Sequence, residues 1–240
     1  FARATVNRIW HEYFQTGIVE PFDDFRMSNP ATNPELLDAL AAHFVKSGFR
    51  LKAVHRAILN SRTYQLSSRP SGGDAPAALE RLLFARYQPR KLGAEVLLDS
   101  LSQVAGAAHT FMWHPKGTRA MDVYQPDGPD SFLVTFGFPR RDILCERAGA
   151  PTLSQTLHLM NGKTIQTKVE EKENVLAEWE KLPDGDMVTA LYLRAYARRP
   201  NERELGMGME YLATGGPTRR KALEGLLWAT LVSKEFQLNY

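Results

Sequence analysis

The residue types able to do chemistry in this chain fall into a few groups. Asp23-Asp24, with Arg26, Asn29 and Asn33, puts carboxylate and amide oxygens into a turn-rich loop. Those are the ligands that a hard cation such as calcium requires, but their spacing fits no EF-hand. Asx turns and an Asp–Arg pair would use the same residues structurally. Cys145-Glu146-Arg147 places a thiol near a guanidinium that would stabilise its thiolate, with a histidine elsewhere as base. A lone cysteine serves equally as a small buried apolar residue.

His158 and Met160 are haem-ligand types, yet two residues apart on a helix they face different directions. His109 and His114 bracket Trp113 without a metal-ligand spacing. Ser61 and Ser154 lack a nucleophile elbow, and the chain contains no Gly-rich phosphate loop, HExxH or GxSxG. No metal-binding or cofactor-binding set is therefore expected. An enzyme built on this chain, a hydrolase or oxidoreductase acting on polysaccharide, would have to gather Asp24, Arg26, Arg119, Cys145, Glu146, Arg147 and His158 from loops. Trp113, Tyr124, Phe132, Phe136 and Phe138 would offer flat faces for sugar stacking, or a satellite core under a long loop.

The elements that must position these residues read as helices. Val6, Ile9, Trp10, Tyr13 and Phe14 recur at helical spacing, with Gly17 as the expected stop. Val19 to Thr32 reads as an ordered loop. Asn33-Pro34-Glu35 then supplies a cap, an N1 proline and a first-turn acid for a second helix closed by Gly48. A third helix is expected over about 51–61, and 67–76 reads as a linker.

Further helices are expected near 77–85 and 92–104. Between about 106 and 150 the pattern dissolves into Pro, Gly and aromatics, with a short strand expected at Phe132 to Phe138. A structureless stretch beyond roughly 12–15 residues is usually functional or disordered. A short helix near 151–160 precedes a charged one over about 163–181, then a turn at Pro183 to Asp186. Three more helices follow, near 187–198, 201–213 and 218–234.

The expected fold class is all-α: an irregular multi-helix domain with a loop-rich insertion. It forms a single module over 1–240, with a first helical unit at 1–66, middle helices and loops at 77–182, and a last unit at 187–238. Ile58-Leu59-Asn60-Ser61-Arg62-Thr63-Tyr64-Gln65-Leu66 is echoed by Leu231-Val232-Ser233-Lys234-Glu235-Phe236-Gln237-Leu238. Either the two three-helix units are related, or helix ends have converged on similar words.

Composition sets the outer limits. With 240 residues and 43% hydrophobic content the chain can bury a large core. Its 30 Lys and Arg against 27 Asp and Glu are too evenly balanced to point to nucleic acid. No run approaches the roughly 18 apolar residues of a membrane helix. The single cysteine excludes an internal disulfide and a CxxCH haem attachment. Phe1 in place of Met reads as a processed product or fragment.

Several phrases together resemble a known family. They are Phe1-Ala2-Arg3-Ala4-Thr5-Val6-Asn7-Arg8-Ile9-Trp10, Val19-Glu20-Pro21-Phe22-Asp23-Asp24-Phe25-Arg26, Asn33-Pro34-Glu35-Leu36-Leu37-Asp38, and Cys145-Glu146-Arg147 followed by Pro151-Thr152-Leu153-Ser154-Gln155-Thr156-Leu157-His158-Leu159-Met160-Asn161-Gly162. Asn60 to Leu66, Leu226-Leu227-Trp228-Ala229 and Ser233-Lys234-Glu235-Phe236 extend the resemblance along the chain. It is to the DUF1553 (PSD1) family, typically the C-terminal module of large exported proteins of planctomycetes, behind a cytochrome-c-like domain and a DUF1549 domain.

The absent catalytic set, together with the architecture the resemblance implies, points to a noncatalytic or accessory module. The resemblance implies an extracytoplasmic location, with the upstream domains of the parent and a glycan or redox partner as expected partners. It implies no cofactor in this segment, haem c being confined to an upstream domain. Gene neighbourhoods rich in sulfatases connect the family to complex-glycan use. No catalytic residue carries over from it.

Overall fold

The computed structural model describes residues 1–69, 77–124, 128, 132–138 and 152–239, whose regular structure is helical apart from two two-residue strands, with turns and irregular loops between the helices. They fall into two compact units, Phe1–Arg90 and Lys91–Asn239.

The first unit contains α1 (Ala2–Phe14), α2 (Pro34–Lys46), α3 (Leu51–Leu59) and the short α4 (Ala77–Leu82). On α1, Val6, Trp10 and Phe14 repeat every four residues and are buried. The helix stops at Gln15 rather than Gly17: Gln15 is left-handed (φ 54°) and its N–H returns to the His11 carbonyl. Gly17 has a different task, since a Cβ there would sit 2.1 Å from the Val19 carbonyl oxygen.

The start of α2 follows the sequence, with the Asn33 side chain accepting the Leu36 N–H at 3.0 Å and Pro34 at N1. α3 ends at Leu59, two residues before Ser61. There the Ser61 hydroxyl donates to the Ile58 carbonyl at 2.6 Å and accepts the Tyr64 N–H at 3.2 Å, turning the chain. Trp10 and Phe14 pack at 4.3 Å between centroids, and Phe84 meets both edge-on. Burial of each such ring contributes roughly 1.5–3 kcal/mol.

The second unit contains α5 (Ala94–Ala105), a 3₁₀ turn (Ala120–Asp122), α6 (Phe132–Thr135), α7 (Leu153–Asn161), α8 (Lys163–Glu170), α9 (Leu176–Trp179), α10 (Asp184–Tyr196), α11 (Glu202–Thr214), α12 (Arg219–Leu231) and α13 (Lys234–Gln237). Strand β1 (Arg90–Lys91) lies where the chain passes into this unit and pairs with β2 (Leu238–Asn239).

Three elements depart from the sequence expectation. The strand expected at Phe132 is the helix α6. Phe132 and Leu133 are both buried, which an alternating strand with one wet face forbids, and Phe132 stacks on Phe136 at 4.2 Å, an i,i+4 pair. The single charged helix expected over 163–181 is two helices, because buried Asn174 interrupts it. Its amide donates to the Lys168 and Val169 carbonyls at 3.0 and 2.8 Å, and its oxygen accepts the Leu176 N–H at 3.0 Å. One side chain thus ends α8 and starts α9. The turn expected at Pro183 to Asp186 is the first turn of α10, where Asp184 and Asp186 complement the N-terminal dipole.

The echoed phrases share local geometry. Helices α1 and α10 are each 13 residues long and end in a left-handed non-glycine residue, Gln15 or Ala197, both at φ 54°. Each carries a fully buried valine, Val6 or Val188, and an i,i+4 ring pair, Trp10/Phe14 at 4.3 Å or Tyr192/Tyr196 at 5.1 Å. The next long helix in each set starts from an asparagine cap, Asn33 or Asn201. Ser61 and Ser233 each accept an aromatic N–H three residues on, from Tyr64 and Phe236, both at 3.2 Å. Beyond that point they diverge, into turns after Ser61 and into α13 after Ser233.

Candidate functional site

The loop after α1 is held by a residue that periodicity alone passes over. Asn7 is fully buried, and its amide donates to the Val19 and Phe22 carbonyls at 2.9 and 2.7 Å. Its oxygen accepts the Ile18 and Val19 N–H groups at 2.7 and 3.1 Å. The sequence signal was its position: it lies three and seven residues before Trp10 and Phe14, on the apolar face of α1. A buried amide there must find backbone partners.

On that loop Asp24 and Arg26 engage each other, with Arg26 Nε and Nη2 donating to the two carboxylate oxygens at 2.7 and 2.5 Å. The hydrogen bond from Arg26 lowers the Asp24 pKa and raises that of Arg26. The Asn29 amide donates to the Asp24 carbonyl at 2.9 Å. Of the two readings of this loop, the geometry displays the Asp–Arg pair. Among the described residues, no three of His, Cys, Asp and Glu gather into a group that would hold a metal ion.

In the second unit Arg119 lies 3.4 Å from Asp99, whose carboxylate also accepts the Ala120 and Met121 N–H groups at 2.7 and 3.4 Å. Asp99 thereby caps the 3₁₀ turn, and Arg119, largely exposed, rests on it. His158 Nε2 shares a hydrogen bond with Thr164 Oγ1 at 3.2 Å, and its ring meets Phe132 and Phe136 edge-on at 5.4 and 6.0 Å. Burial lowers its pKa, because desolvation disfavours the charged imidazolium. Among the described residues Arg119 and His158 share no partner, and Cys145, Glu146 and Arg147 lie outside them.

Of the aromatics, Phe132 is buried and Phe136 and Phe138 pack on the same core. Trp113 and Tyr124 are exposed, Trp113 to 93% and in the left-handed region at φ 67°.

The buried Lys168 carries no sequence signal beyond its place beside Ile165 and Val169. It is 3% exposed and donates to the Ala107 carbonyl at 2.8 Å. Burial pushes its pKa down to about 8, against a smaller opposing pull from Asp99. A cleft of about 410 Å³ lies between α8 and α12, with polar groups on both walls and Trp228 among its lining. Glu224 on its α12 side accepts from Arg220 Nε at 3.0 Å and Lys221 Nζ at 2.7 Å. Burial would raise the Glu224 pKa, but these two bonds lower it on balance.

No curated protein and no solved structure matches this chain. A family model does match, over residues 1–212, so most of the chain, from α1 into α11, is accounted for by one family. The chain belongs to the PSD1 family, proteins of unknown function (DUF1553).

Proposed function

We propose that the chain is a noncatalytic helical module of a larger exported protein that also carries a cytochrome-c-like domain, and that it presents an aromatic loop to a complex glycan. The observation that carries this reading is Trp113. Its neighbours are fixed: Phe111 is buried between the rings of His109 and His114, at 4.7 and 6.2 Å. His114 N–H donates to the Phe111 carbonyl, and the Thr118 N–H and hydroxyl both donate to Pro115.

A bulky residue held left-handed costs folding about 1–2 kcal/mol, and Trp113 recovers almost nothing by burial. Folding therefore gives no reason for a tryptophan there, whereas a flat exposed ring is what the apolar face of a sugar stacks against. The noncatalytic part is supported by Asp24, Arg26, Arg119 and His158, each engaged in a local structural contact. The exported setting and the glycan come from the family resemblance.

Affinity electrophoresis of the chain through gels containing neutral and sulfated polysaccharides tests the reading. Retardation is expected for the parent and lost in Trp113→Gly. The same variant should match or exceed the parent in thermal stability, by about 1 kcal/mol, because glycine adopts this φ freely. A Trp113→Gly chain retarded as strongly as the parent overturns the role of the loop. Cleavage or oxidation of the polysaccharide by the purified chain overturns the noncatalytic reading.

A further inference from the structure

The cleft between α8 and α12 has a chemistry of its own. It is lined by Asn161, the last residue of α7, by Gln166 and Glu170 from α8, and by Lys221, Glu224 and Trp228 from α12. The carboxylates of Glu170 and Glu224 in the lining face one lysine, Lys221, and Arg220, which pairs with Glu224 from behind the lining, brings the local charge to balance. Much of its hydrogen-bonding capacity is unspent. Glu170 Oε1 accepts from Gln166 Nε2 at 3.2 Å, which among the described residues leaves Glu170 Oε2 and the Gln166 side-chain oxygen open. Among the described residues, neither the Asn161 amide nor the Trp228 indole N–H has a hydrogen-bond partner.

We infer that this cleft binds a small neutral polyhydroxylated ring, such as a pyranose, seated against the Trp228 indole with its hydroxyls bonded to Asn161, Gln166 and Glu170. An anionic ligand would meet the carboxylates of Glu170 and Glu224, and a cationic one Lys221 with Arg220 behind it, so the balance selects against net charge. A purely apolar ligand would bury the amides and the carboxylate without partners. The volume lies at the small end of the range for ligand pockets, which suits one or two rings. This site is separate from the Trp113 loop, and neither assignment depends on the other.

NMR titration of the full chain tests it, using the neutral methyl glycosides of glucose, galactose and xylose, with glucuronate and glucosamine as charged counterparts. A neutral glycoside should shift the Trp228 indole and Asn161 side-chain resonances saturably, with a Kd on the order of 1–10 mM. Glu170→Ala and Trp228→Leu should each weaken binding about tenfold or more, while Trp113→Gly leaves it unchanged. If Trp228→Leu disturbs folding, Asn161→Ala and Gln166→Ala, both at exposed side chains, carry the same expectation. The assignment is overturned if no neutral glycoside gives saturable shifts, if either charged sugar binds more tightly, or if binding survives both Glu170→Ala and Asn161→Ala. It also falls if Trp113→Gly abolishes the shifts.

Discussion

Lys168 holds an ammonium in a site with one hydrogen bond, to the Ala107 carbonyl. The unfolded chain keeps that proton up to the ordinary value near 10.5, the folded chain only to about 8. Between those values the unfolded state binds more protons, so this group makes stability rise as pH increases from about 8 towards 10.5 and leaves it flat below. The full span corresponds to on the order of 3 kcal/mol. Lys168→Met should therefore abolish the alkaline rise and gain stability at neutral pH, less what the Ala107 carbonyl loses with its donor. Urea unfolding of both chains from neutral to pH 10 decides it, and an unchanged slope in the variant would assign the rise to other groups. Asn7 works in the opposite direction, because all its bonding capacity is used. Asn7→Ala should cost about 3 kcal/mol by stranding buried groups of the Ile18 to Phe22 loop, measurable as a drop in the urea midpoint.

At the level of elements, helix ends are set by side chains reaching across from elsewhere. Arg198, just beyond α10, donates to Glu235 of α13 at 2.7 and 2.8 Å and to Glu204 of α11 at 2.8 Å twice. Its guanidinium also lies over the rings of Tyr192 and Tyr196. Glu204 at the same time closes the capping box of α11 with Asn201. The Arg198 hydrogen bonds pull the Glu204 pKa down to about 2, below its unfolded value near 4.5. That contribution is complete above about 4.5 and disappears as pH falls towards 2. Arg198→Ala should cost roughly 1–2 kcal/mol near neutral pH, limited by the partial exposure of the pair, and less in acid. Melting curves of the two chains should converge as pH falls from about 4.5 towards 2; a constant gap would assign the brace to ring packing rather than charge.

Over the whole molecule, the small excess of basic residues is spent on backbone oxygens. In the first unit Arg81 donates to the Gln15 carbonyl and Arg90 to that of Glu12. In the second, Arg194 takes Gln103 and Val104, Arg219 takes Glu180 and Leu182, and Arg220 takes Glu171. Most of these lie at helix C-termini, where carbonyls lack intrahelical donors and cations are favoured. Each unit has its own apolar core, around Phe44 in the first and around Leu227 in the second. Phe44→Ala should cost about 3–5 kcal/mol and lower hydrogen-exchange protection in α1 to α3; Leu227→Ala should cost about 2–5 kcal/mol and lower it in α10 to α12. Undiminished protection in the mutated unit would contradict the core assignment.

What the sequence by itself determined was the helical class and most helix starts, because apolar spacing and caps such as Asn33 and Asn201 act within a few residues. It also isolated the Asp24–Arg26 loop, whose pairing is local. The tertiary structure alone decided where some helices stop, α1 and α8 among them, and which polar residues are buried, whereas the end of α2 at Gly48 was legible in the sequence. Asn174 breaks a continuous charged pattern by bonding backbone on both sides of itself. Lys168 and Asn7 look like ordinary polar positions until a neighbouring segment covers them. The α8–α12 cleft escaped the sequence for the same reason: Asn161 and Trp228 are far apart along the chain, and only packing brings their unspent hydrogen-bonding groups to one opening.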